Sequence, residues 1–130
     1  MFQKNKQPPI KSLLAQGLDI KGDITFSEGL RLDGLIQGNI RASHDFPSML
    51  VISETAHVMG GLYADHIIIN GRVDGPVHAR VMLELQPKAS VHGDVQYSNL
   101  EMHQGAIVAG QLRPDLQEEK PTLKIAVNND

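Results

Sequence analysis

Apolar and polar residues alternate at a period of two through the middle of the chain, and the alternation is cut into a repeating unit. The unit reads aliphatic, any, glycine, any, aliphatic. It occurs as Ile20-Gly22-Ile24, Ile36-Gly38-Ile40, Val58-Gly60-Leu62, Val73-Gly75-Val77, Val91-Gly93-Val95 and Val108-Gly110-Leu112. Each gap between successive copies holds a second apolar pair at the same spacing: Leu30/Leu32, Leu50/Ile52, Ile67/Ile69, Leu83/Leu85 and Leu100/Met102. Alternation at period two means strands, because residues i and i+2 share a face; helical periodicity is absent. Copies recur at intervals of 16, 22, 15, 18 and 17 residues, and the longest interval contains an insertion at 43–48 that includes Pro47. A fixed repeat of short strands, none able to stand alone, predicts a β-solenoid in which each turn lies in parallel on the one before it. Three short sides per turn fit the repeat best, giving about six turns, with the aliphatic set pointing inward.

The positions beside the glycine agree with that reading. Lys21, Gln37, Met59, Asp74, His92 and Ala109 precede it, and Asp23, Asn39, Gly61, Pro76, Asp94 and Gln111 follow it, so large aliphatics are avoided there. The glycines Gly22, Gly38, Gly60, Gly75, Gly93 and Gly110 are expected where an opposing wall or a sharp corner leaves no room for a Cβ. Pro76 cannot donate to a ladder, so an interrupted strand is expected there and turn geometry is in doubt at 73–77 as well as at 43–48.

Composition narrows the picture further. An aromatic fraction of 4% with no tryptophan leaves an aliphatic, thin core, and the lack of cysteine excludes disulfides, thiolate metal sites and a cysteine nucleophile. A net charge of −3 argues against a general nucleic-acid binder. No run approaches a membrane span and no signal peptide is apparent, so a cytoplasmic, single-domain protein is expected. Residues 1–16 carry Lys4, Lys6 and Lys11 and no acid, and residues 114–130 carry Pro114 and Pro121. Both are read as flexible tails around a folded unit at 17–113. The alternating stretch 122–127 within the second tail is read as disordered.

A solenoid ends in two open turns with unpaired backbone groups and uncovered core positions. No convincing cap is written in the sequence; the nearest candidate is one helical turn over residues 10–16 with Leu13 and Leu14 facing down. Uncapped ends join turn to turn between subunits, and the expected product is a filament of this chain with itself. The interface residues expected are Leu18, Ile20, Ile24 and Phe26 at the start, and Ile107, Val108 and Leu112 at the finish.

The tandem Ile-x-Gly-x-Ile units, the cysteine-free repeat domain and the short polar tails together resemble the bactofilins, bacterial polymer-forming cytoskeletal proteins. The resemblance covers residues 17–113. It implies a right-handed triangular β-helix that polymerises without nucleotide and scaffolds cell-shape or cell-envelope machinery at the membrane; the handedness comes from the resemblance alone. The start, Met1-Phe2-Gln3-Lys4-Asn5-Lys6, resembles the membrane-targeting leader of many members. Met1 and Phe2 would enter the interface of the inner leaflet while Lys4, Lys6 and Lys11 meet anionic lipid, at about 1 kcal/mol per cation. Avidity along a filament multiplies that weak attraction.

Chemistry is expected to be absent: no catalytic residue, cofactor, nucleotide or metal. His57, His66, His78, His92 and His103 each neighbour an inward residue and should point outward, and His44 lies in the insertion. Asp74 and His92 stand one turn apart and read as a surface ion pair rather than a dyad. Gly60-Gly61 lacks the strand-to-helix element of a phosphate cradle. Two alternatives stay open: a trimeric hexapeptide-repeat enzyme with a metal or acyl donor between subunits, and a non-polymerising adaptor capped by its tails.

Overall fold

The computed structural model describes residues 7–115, and every described element is a strand. The first turn comprises β1 (Ser12–Leu14), β2 (Asp19–Lys21) and β3 (Ile24–Phe26), and the second β4 (Gly29–Leu32), β5 (Leu35–Gln37) and β6 (Ile40–Ala42). Then come β7 (Met49–Ile52), β8 (His57–Met59), β9 (Leu62–Ile69), β10 (Arg72–Asp74) and β11 (Val77–Leu85). The last turns are built from β12 (Ser90–His92), β13 (Val95–Tyr97), β14 (Leu100–Met102), β15 (Ile107–Val108) and β16 (Leu112–Pro114). All pairings are parallel. One face is the six-stranded sheet β15-β12-β10-β8-β5-β2. The other two faces merge into a ten-stranded sheet, because β9 and β11 run through the corner that separates them in the other turns. Six turns of a three-sided solenoid result.

The register follows the hydrophobic pattern. Ile20, Ile36, Val58, Val73, Val91 and Val108 form one inward column through successive pairings. Leu50, Ile67 and Leu83 form another, as do Ile52, Ile69 and Leu85, and all six are fully buried. In the middle turns the aliphatic ladder is closed to water; at both ends the same columns open.

The glycine column has a steric cause. A Cβ on Gly38, Gly60, Gly75, Gly93 or Gly110 would collide with the carbonyl of the glycine one turn earlier. Gly22 meets nothing within 4 Å, but its φ of 137° itself disfavours a side chain. Beside this column, Asp23 Oδ1 accepts the Asn39 N–H, Asn39 Oδ1 accepts the Gly61 N–H and Asp94 Oδ1 accepts the Gln111 N–H. Pro76 stands in that column above Gly61, where no side chain offers an acceptor and Pro76 has no N–H to donate.

Three expectations are corrected or refined. Pro76 interrupts nothing: it occupies a corner, and β11, which follows at once, is the longest strand, with Val73 and Val77 in regular register. The candidate helical turn over 10–16 is instead β1, paired to β4 with Leu14 opposite Leu32, so the first turn is closed by a strand. The insertion is an excursion, and it re-enters under tight control. Ser48 N–H donates to Asp65 Oδ2 (3.0 Å) and Asp65 N–H to Ser48 Oγ (2.9 Å), with Arg80 Nε on Asp65 Oδ1 at 2.7 Å.

Candidate assembly surfaces

At the start of the solenoid, Ile20, Ile24 and Phe26 pack on the core from one side and remain half-exposed. Leu14, absent from the set expected from sequence, shares their position. Leu18 is exposed and lies in a corner column continued by Gly34 and Ala56, as the chain of bonds from Leu35 N–H to Leu18 O and from His57 N–H to Gly34 O shows.

At the other end, Val108 is half-buried and Leu112 is 46% exposed, whereas Val95, directly before Leu112 in its column, is fully buried. Leu100 and Met102 extend the Leu83 and Leu85 columns in the same way, and Met102 is 43% exposed. Ile107 pairs with Ser90 on the outward side of β15. The Leu100/Met102 pair was visible in the repeat, but an interface chosen from the glycine units alone passes over it. Backbone N–H groups of Ile24, Ile40, Leu62, Val77 and Val95 each donate to the following turn, a series that reaches Leu112 where no further turn lies among the described residues.

Of the expected membrane contacts, Met1, Phe2, Lys4 and Lys6 lie outside the described residues. Lys11 pairs through Nζ with Glu28 at 2.8 Å, and its N–H donates to Gly29 O. Residues 7–10 run from that anchor along the corner between the two merged faces. Pro9 and Ile10 press on Gly29, Pro8 and Pro9 share a cavity with Phe46 and Pro47, and Gln7 reaches His66.

The histidines make local contacts. His57 Nε2 lies 2.7 Å from Asp74 Oδ2, and Arg72 binds the same carboxylate; Arg72 and then His57 hold the Asp74 carboxyl below its ordinary range. Asp74 therefore pairs with His57 and not, as its register suggested, with His92, which sits 3.1 Å from Ser90 Oγ. His78 lies 3.6 Å from Asp115. His103 Nε2 stands between Glu84 (3.1 Å) and Glu101 (3.0 Å), a three-ligand group able to take a cation, formed because Glu84 and Glu101 are register partners. The spacing of 17 between those glutamates was the available signal. His66 is half-buried, its Nδ1 is shut from water with no partner among the described residues, and burial lowers its pKa.

A protein-family model described as bactofilin, polymer-forming cytoskeletal, matches residues 12–113. The chain is similar to Bactofilin BacO of Myxococcus xanthus (strain DK1622), 23% identical over 117 residues that cover 90% of each chain. No solved structure matches it.

Proposed function

The chain belongs to the bactofilins, a family of polymer-forming cytoskeletal proteins, and on that premise we propose that it assembles end turn against end turn into a nucleotide-independent filament. The filament lies at the inner face of the cytoplasmic membrane, held there by the basic leader, and scaffolds cell-shape or cell-envelope machinery. One observation carries the reading: Leu112 and Met102 are 46% and 43% exposed, while the same columns one turn inward, at Val95 and Leu85, are fully buried. A further turn stacked there continues both the apolar column and the hydrogen-bond ladder.

Phe26→Arg and Val108→Arg test this, because a charge trapped between stacked turns is costly. Filaments seen by negative-stain microscopy without nucleotide are expected to shorten in both variants while circular dichroism retains the strand signal. Leu112→Lys, at a more exposed position, serves where either variant misfolds. Full-length polymers from all folded variants overturn the assignment of the ends. Closed trimers of the unmodified chain that bind a metal or acyl donor would favour the hexapeptide-enzyme alternative instead. Deleting residues 1–6 should abolish co-sedimentation with anionic liposomes and leave filaments intact; equal co-sedimentation removes the leader from the mechanism.

A further inference from the structure

Carboxylates on the flanks of the solenoid are commonly matched by a fixed positive charge. Asp33, Asp65, Asp74 and Asp94 each meet an arginine, and Glu28 and Glu54 each meet a lysine. Glu84 and Glu101 differ. They are register partners on β11 and β14, so two like charges stand directly opposite each other across one interstrand gap, an arrangement that costs stability unless a cation joins it. Among the described residues neither meets a lysine or an arginine. Both face one imidazole instead, with His103 Nε2 at 3.1 Å from Glu84 and 3.0 Å from Glu101.

We propose that Glu84, Glu101 and His103 bind a divalent transition-metal ion of the zinc class, which staples the sixth turn to the fifth. One imidazole nitrogen and two carboxylate oxygens, all within 4.8 Å of one another, are a donor set that such an ion takes, whereas calcium and magnesium favour oxygen alone. Ligand atoms about 2.0–2.2 Å from a shared ion stand roughly 3.0–3.5 Å apart. Both imidazole-to-carboxylate separations lie at the short end of that interval, so side-chain adjustment suffices to admit the ion. The ladder between β11 and β14 holds the two glutamates side by side beforehand. Gln86 Nε2 donates to Glu84 Oε2 at 3.2 Å, an outer contact that orients the ligand oxygen. Glu101 is exposed, which leaves room for water to complete the coordination. Met102, between two of the ligands in sequence, is the open end of the Leu85 column, so the ion also steadies a residue of the end turn.

Calorimetry on the full chain, stripped with a chelator and held at about pH 7.5 so that free imidazoles are neutral, tests the site without requiring filaments or lipid. Zinc should bind at one ion per chain, at least about tenfold more tightly than it binds His103→Gln or Glu101→Gln. His57→Gln, which alters a histidine whose carboxylate partner already holds an arginine, should bind zinc as the unmodified chain does. Equal affinity in His103→Gln and the unmodified chain overturns the site, as does calcium binding as tightly as zinc. An equal loss in His57→Gln would show diffuse binding by surface histidines and overturns it too. Melting separates an ion site from a merely structural contact: saturating zinc should raise the melting temperature of the unmodified chain and leave that of His103→Gln unmoved. The same rise in both overturns the staple. Where His103→Gln misfolds, Glu101→Gln, at the exposed position, carries both comparisons.

Discussion

The glycine ladder shows a single residue type required by stacking itself. At Gly93 the backbone does not lie in the left-handed region that favours glycine, yet a Cβ would meet the carbonyl of Gly75, a backbone atom that no rotamer change can move away. Gly93→Ala is therefore expected to destabilise the fold by about 1–3 kcal/mol, seen as a lower melting temperature, through overpacking; an unaltered melting temperature would mean that the turns are looser than their register implies. His66 gives a residue-scale dependence on pH. Its pKa lies below the ordinary 6.5 because burial disfavours the imidazolium, and this outweighs the pull of the neighbouring Asp65 carboxylate, itself engaged by Arg80. The unfolded chain thus binds the proton more readily, so stability falls as pH drops from above 6.5 toward the lower folded value. His66→Leu should flatten the melting temperature between about pH 7.5 and 5.5 relative to the unmodified chain. An identical slope in both would show that His66 is not the responsible group.

Among the elements, the inward columns were legible because strand periodicity needs only apolar identity at i and i+2, and the structure places every such pair in the middle turns inside. Three features were not legible. Ser12-Leu13-Leu14 is too short to declare a strand, and it becomes one only because β4 offers an edge in register. Pro76 looks disruptive along the chain, but its harmlessness depends on Gly61 lying one turn below it. The Ser48–Asp65 exchange joins residues 17 apart and belongs to tertiary geometry, yet it decides how the insertion rejoins the turn. Asp65→Ala removes the acceptor for Ser48 N–H and leaves a half-buried Arg80 unpaired, so a loss of about 1–3 kcal/mol is expected. Proteolysis should then cut within 44–47 earlier than in the unmodified chain, and unchanged cleavage would show that the loop is held by other contacts.

For the whole molecule, the two proposed attractions differ in physical origin and can be separated by salt. The end turns present aliphatic side chains, Ile20, Ile24 and Phe26 at one end and Leu100, Met102, Val108 and Leu112 at the other, so their association is hydrophobic and ladder-bonded. The proposed leader carries Lys4 and Lys6 within its six residues, so the attraction to anionic lipid proposed for it is largely Coulombic. Raising salt from about 0.1 M to about 1 M shortens the screening length from ~10 Å to ~3 Å. Vesicle binding should then collapse while filament length, measured by light scattering and microscopy on the same samples, is held or grows. Filaments that dissolve in step with membrane release would mean that charge, not the open aliphatic columns, joins the subunits, and the end turns would lose their role as the assembly surface.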